Sequence, residues 1–128
     1  MSKEKLQFYI EEELRISLEE YIILNDLDKK KIDISKLCSL IVHEWMEEPI
    51  LNSEDIFYKY IEKNTKRKRT TISLTEDETI QIKRIFVKDY IRKIFSVNML
   101  VVNIIEQWAI KNIRGYSSKT ILRSREVC

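Results

Sequence analysis

Residues Thr70–Trp108 read TTISLTEDETIQIKRIFVKDYIRKIFSVNMLVVNIIEQW, and the hydrophobic period changes along that stretch. Ile72 and Leu74 alternate with Thr71 and Ser73, the period-two pattern of a short, half-buried strand. Glu76, Asp77 and Glu78 follow at once, which suits a first helical turn whose unpaired amides favour carboxylates. Thr75 is the expected cap, with Glu78 at the reciprocal position of a capping box. Ile82, Ile85, Phe86 and Tyr90 then recur at helical spacing. Ser96-Val97-Asn98 marks a second turn, and Ser96 or Asn98 caps a further helix with Val101, Ile104, Ile105 and Trp108 on its apolar side. One strand and two short helices have too little core to fold alone, so the unit needs a partner.

The amino-terminal half repeats this order. Leu6, Phe8 and Ile10 alternate with Gln7 and Tyr9, and Glu11, Glu12 and Glu13 form the acidic turn. A helix follows, marked by Leu14, Leu18, Tyr21, Ile22 and Ile23 or Leu24, and it ends near Asn25. After a polar connection, Asp33 or Ser35 starts a second helix with Leu37, Leu40, Ile41 and Trp45 on its apolar side, stopping before Pro49. An offset of 64 relates Ile10 to Leu74, Ile16 to Ile80, Leu18 to Ile82 and Ile22 to Phe86. Beyond the inter-helix connection the offset becomes 63 and relates Ser35 to Asn98, Ile41 to Ile104 and Trp45 to Trp108. A one-residue difference in a loop is readily tolerated.

The expected organisation is therefore a first strand–helix–helix copy at 5–46, a linker at 47–68 with a helix at 54–64, a second copy at 69–113, and a basic tail at 114–128. The fold class is mainly α with a short two-stranded antiparallel ribbon, the two copies pairing within one chain. If the strands pair, their apolar faces cover the helices and their other faces form a ribbon open to solvent. A slip of one residue would exchange the two faces.

The chain has 128 residues and a net charge of +2, which conceals an asymmetry. Residues 1–62 carry 8 Lys/Arg against 15 Asp/Glu, a net of −7, whereas residues 63–128 carry 15 against 6, a net of +9. A basic half calls for a polyanion. No run approaches the 18 or more apolar residues of a membrane span, and the charged start is unlike a secretory signal. A cytoplasmic location without membrane association is expected. Cys38 falls among apolar residues and reads as a buried thiol.

No catalytic pattern stands out. His43 is the one histidine, Gly115 is the one glycine, and a chain with one glycine cannot build a phosphate-binding glycine loop. Paired carboxylates such as Glu47 and Glu48 are explained by helix ends. The chain is expected to be no enzyme and to need no cofactor.

Binding has a physical route. The major groove of B-DNA admits a two-stranded ribbon whose exposed side chains reach base edges. That face would carry Gln7 and Tyr9 from one strand and Thr71 and Ser73 from the other. Lys5, Lys66, Arg67, Lys68 and Arg69 would meet phosphates, with Ser35, Ser96 and Asn98 at the amino ends of the second helices.

The strand–helix–helix order, the alternating strand and the Ser96-Val97-Asn98 start resemble the ribbon-helix-helix family of DNA-binding transcriptional regulators. As a tandem single chain the sequence is similar to such a regulator of archaeal filamentous viruses, the lipothrixviruses. The resemblance implies base reading by Thr71, Ser73 and, at the margin, Thr75, with a phosphate clamp at Ser96–Asn98. In the first copy it implies Gln7, Tyr9 and Glu11, with a clamp near Asp33–Ser35. The family's usual glycine between the helices is absent from both copies, and Glu11 and Asp33 are poor residues near phosphate. The expected partner is double-stranded DNA, bound by a homo-oligomer, with Phe57, Tyr58, Tyr60 and the tail available for chain-to-chain contact. The alternative is a non-catalytic viral or plasmid accessory protein that docks another protein.

Overall fold

A computed structural model describes residues 3–51, 67–94 and 96–116. The expected helix at 54–64, Phe57, Tyr58, Tyr60, Lys66 and most of the tail lie outside the described residues.

The described chain is mainly helical, with one two-stranded antiparallel sheet and the order β-α-α-β-α-α. Strand β1 spans Lys3–Glu11 and leads directly into α1, Glu12–Leu24. A single 3₁₀ turn at Asp28–Lys30 precedes α2, Ile34–Glu47. Strand β2, Arg67–Thr75, leads into α3, Glu76–Ile85, and a π-helical turn at Phe86–Tyr90 prolongs it. Helix α4 covers Val97–Asn112. A shift of 64 positions carries β1 onto β2, and a shift of 63 carries the start of α2 onto the start of α4.

Both strands are longer than the alternation alone suggests, because cross-strand pairing continues to Lys3↔Thr75 and Glu11↔Arg67. Their inner face buries Phe8, Ile10, Thr70, Ile72 and Leu74, with Leu6 half-buried. Leu14, Leu18 and Ile22 of α1, Leu37, Cys38, Ile41, Val42 and Met46 of α2, and Ile82 of α3 pack beneath. Helix α4 fills the centre, with every residue from Leu100 to Glu106 buried. Removing a fully buried isoleucine such as Ile10 or Ile72 down to alanine would cost about 2–5 kcal/mol.

Two aromatic contacts cross between the halves. Tyr21 of α1 meets Trp108 of α4 edge-on at 4.9 Å, and Trp45 of α2 lies 6.1 Å from Tyr90. Such pairs add about 0.5–1.5 kcal/mol beyond area burial. The Tyr90 hydroxyl accepts from the Leu51 amide at 3.1 Å and donates to the Pro49 carbonyl at 3.2 Å. The Trp45 indole donates to the Ile50 carbonyl at 3.1 Å, so the chain leaving α2 is tied down by both rings.

The caps follow local chemistry. The Asp33 side chain, rather than Ser35, accepts from the Lys36 amide, and Ser96, rather than Asn98, accepts from Met99. Thr75 and Glu78 complete the capping box. Between α1 and α2, Asp26 and Lys31 adopt left-handed backbone with φ of 56° and 62°, the conformation glycine would occupy at lower cost. Gly115 takes φ of 85° in the turn after α4, whose last helical residue is Asn112.

Three expected core positions are corrected. Leu40 is 46% exposed, and Ile23 and Leu24 are 63% and 81% exposed. Ile23 and Leu24 lie on the solvent side of α1 and Leu40 on the open side of α2, so the stripe that reaches the core is narrower than the spacing suggests. Cys38 is fully buried, and burial pushes its thiol up to about 12, Asp33 adding to the rise.

Candidate nucleic-acid interface

The alternation of the strands divides their side chains between core and solvent, and burial of Ile10 and Ile72 fixes which set faces which way. The solvent face carries three cross-strand pairs in a row: Lys5↔Ser73, Gln7↔Thr71 and Tyr9↔Arg69. Lys5, Gln7, Tyr9, Arg69 and Ser73 are exposed, and Thr71 is half-buried between its neighbours. Directly opposed residues on one face of a pleat stand about 4.5–5.5 Å apart at Cβ, so these six form one continuous surface. Tyr9 is 56% exposed, a large ring that none of the described residues covers.

The described part of the basic run, Arg67–Arg69, lies within β2, and its members diverge. Arg69 shares the open face with Tyr9, but Lys68 pairs with Ile10 and so points to the helix side at the end of the ribbon. There it lines a cleft with Arg15, Glu19, Asp33, Ser35 and Arg69, next to the amino end of α2. The Arg67 backbone closes the ladder opposite Glu11. At the far end of the ribbon Thr75 is only partly exposed, and its hydroxyl accepts from the Glu78 amide at 3.1 Å, so it is committed to the cap.

The second helices flank the ribbon on its two free edges. Asn98, in the first turn of α4, donates through Nδ2 to the Gln7 carbonyl at 2.7 Å. On the other edge Ser39 of α2 accepts from the Ser73 amide at 3.3 Å while donating to the Ser35 carbonyl at 2.9 Å. Open strand edges invite further pairing, and these contacts occupy part of each. The amino ends of α2 and α4 are thereby positioned beside the ribbon, with Ser35 half-buried and Asn98 exposed. First-turn amides have no intrahelical acceptors, which suits an anion. Asp33 at the α2 end works against one.

Sequence reasoning missed Ser39, because a serine within a helix reads as solvated. It also gave His43 no partner. His43 Nδ1 lies 2.6 Å from Glu78 Oε2, linking α2 to the α3 capping box. The hydrogen bond and the charge of Glu78 raise the imidazole pKa above its ordinary value. For Glu78, burial works against the carboxylate. The Thr75 amide, the His43 ring and the Thr75 hydroxyl together outweigh burial and lower its pKa.

Among the described residues, no group of three His, Cys, Asp or Glu side chains is arranged to hold a metal ion, and no helix is long and apolar enough to cross a membrane. The chain matches no protein-family model, no curated protein and no solved structure.

Proposed function

We propose that this chain is a sequence-specific double-stranded DNA-binding transcriptional regulator, a tandem ribbon-helix-helix unit that inserts its ribbon into the major groove. The observation that carries the reading is the solvent face of the ribbon. Gln7, Tyr9, Thr71 and Ser73 stand together there, while Leu6, Phe8, Ile10, Thr70, Ile72 and Leu74 on the other face are buried or partly buried. A ribbon of this width enters a major groove, and Gln, Ser, Thr and Tyr supply both donors and acceptors to base edges.

The β-α-α order repeated in one chain supports an internal pseudo-dimer. The strand pairing is centred on Gln7↔Thr71, two residues that are themselves 64 positions apart, as a twofold axis through that pair requires. Because the two strands differ in sequence, such a unit reads an asymmetric half-site. Lys5 and Arg69 neutralise phosphate at the ribbon ends, and the amino ends of α2 and α4 approach the backbone on either side. The protein acts by binding, without catalytic residue or cofactor.

The test is selection from a pool of random duplexes at two salt concentrations. The wild type is expected to enrich a common motif. The Thr71→Ala/Ser73→Ala variant is expected to lose that motif and to keep salt-sensitive binding, since each good base contact contributes about 1–3 kcal/mol of discrimination. Enrichment of the same motif by both proteins would remove base reading from the ribbon. Sequence-indifferent binding by the wild type would reduce the basic half to a general polyanion surface.

A further inference from the structure

Helices α1 and α3 each turn one stripe to the core and leave the opposite stripe to solvent. At the middle of the solvent stripe of α1 stand Ile16 and Ile23, 42% and 63% exposed. The shift of 64 positions leads to Ile80 on α3 and Val87 in the π-helical turn that prolongs it, at 43% and 59%. A spacing of seven puts Ile16 and Ile23 on one face of α1, and Ile80 and Val87 share one side of α3 and its prolongation, where they line the same groove. Two branched apolar residues left open at matched positions on both helices form a patterned feature, unlike isolated surface hydrophobes.

The residues flanking these pairs have opposite charge. Between Ile16 and Ile23 lie Glu19 and Glu20; between Ile80 and Val87 lie Lys83 and Arg84, with Lys88 beyond. Lys83, Arg84 and Lys88 line a shallow groove together with Ile80 and Val87. The acidic pair Glu76 and Asp77 sits a turn earlier, at the amino end. On α1, Glu19 also bonds Arg15 at 2.9 Å but keeps nearly half of its side chain exposed. The molecule thus carries two apolar helical faces of the same layout, one edged with acid and the other with base.

Within one chain the two faces cannot meet. Helix α1 leaves the ribbon at Glu11 and α3 leaves it at Thr75, and these residues lie at opposite ends of the paired ladder. The length of the nine-residue strand separates those ends by about 26 Å. We propose that α1 of one copy docks on α3 of the next, Ile16 and Ile23 packing against Ile80 and Val87 while Glu19 and Glu20 face Lys83 and Arg84. The occupant of each face is a second copy of this chain, because one molecule displays both complementary halves. Such a contact is heterologous and leaves a free α1 face and a free α3 face at the two ends, so it repeats into a row.

The test uses the full chain without DNA, in sedimentation velocity runs over a range of protein concentrations and at two salt concentrations, so its result does not depend on the DNA-binding reading. The wild type is expected to associate with rising concentration, less so at higher salt. Two variants carry the argument, Glu19→Lys/Glu20→Arg and Lys83→Glu/Arg84→Glu. The first has two basic faces and the second two acidic ones, so each alone should stay monomeric and an equimolar mixture should recover association. Val87→Ser, which leaves charge unchanged, should weaken wild-type association about tenfold. All substituted residues are at least partly exposed, and far-UV circular dichroism would check folding. The proposal is overturned if the wild type is monomeric throughout, if either charge variant associates like the wild type, or if the folded variants fail to associate on mixing.

Discussion

His43 shows how much one side chain's role depends on a residue far away in sequence. Its hydrogen-bond partner is not on its own helix: Glu78 stands 2.6 Å away across the interface of α2 and α3. The pair makes a pH prediction. The folded pKa of His43 lies above 6.5, so its contribution to stability is fully present below the unfolded value and is lost as pH rises through the folded one. Glu78 has a folded pKa below 4.5, so its contribution is lost as pH falls through that lowered value. Both contributions are therefore fully present only between the ordinary values of 4.5 and 6.5, and they fade on either side. An NMR titration of the single imidazole should give a midpoint above 6.5 in the wild type and one closer to 6.5 in Glu78→Gln; an unchanged midpoint would remove Glu78 as the cause. The exposed identities of Gln7 and Tyr9, by contrast, were legible from alternation alone, since a period of two leaves only two assignments and the apolar set selects one.

At the scale of the element, the two halves differ most in how their first helices begin. Thr75 accepts from the Glu78 amide at 3.1 Å while Glu78 Oε1 accepts from the Thr75 amide at 3.0 Å, two orphan donors satisfied reciprocally. Glu11, the equivalent residue before α1, makes no side-chain cap bond. Thr75→Ala is thus expected to cost about 1 kcal/mol in denaturant unfolding, with Thr75→Ser retaining most of the stability and Glu11→Ala costing less than Thr75→Ala. The box was readable in the sequence because its partners are three residues apart. The π-helical turn at Phe86–Tyr90 was not, because the sequence there keeps a helical spacing of apolar residues. The turn delivers Phe86, Tyr90 and Ile94 to the core, and Tyr90 receives its partners Pro49 and Leu51 from the other half of the chain.

At the scale of the whole molecule, the described parts of the acidic and basic halves pack against one another, so the charge division of the sequence does not separate two bodies. Helices from one half pack against strands of the other. Lys68 and Arg69 illustrate the result: adjacent in sequence, they leave the ribbon on opposite faces. On the proposed reading both still lie near a DNA backbone. Affinity for duplex DNA should fall with log salt, and Lys68→Gln and Arg69→Gln should each reduce that slope by about one. Lys68→Gln should do so equally for all sequences, whereas Thr71→Ala/Ser73→Ala should change the preferred sequence with little change in slope. Titrations by fluorescence anisotropy at four salt concentrations would separate these outcomes; slopes unaffected by either basic substitution would place phosphate contact elsewhere.

The same scale explains where local pattern misled. Leu40 and Asn103 are 63 positions apart, as are His43 and Glu106; the environments of Leu40, Asn103 and Glu106 are the reverse of what polarity suggests. Leu40 and His43 face solvent, while Asn103 and Glu106 are buried in the enclosed middle of α4. The sequence by itself determined the repeat, the order of strands and helices, the capping box of Thr75 and Glu78, and which side chains of each strand share a face. These follow from periodicity and from contacts only a few residues apart. Tertiary structure alone decided that α4 is enclosed while α2 keeps an open side, that His43 meets Glu78, and that Ser39 and Asn98 hold the ribbon edges. Each of these depends on what a distant segment brings alongside, and a helix's own spacing carries no information about how many of its sides will be covered.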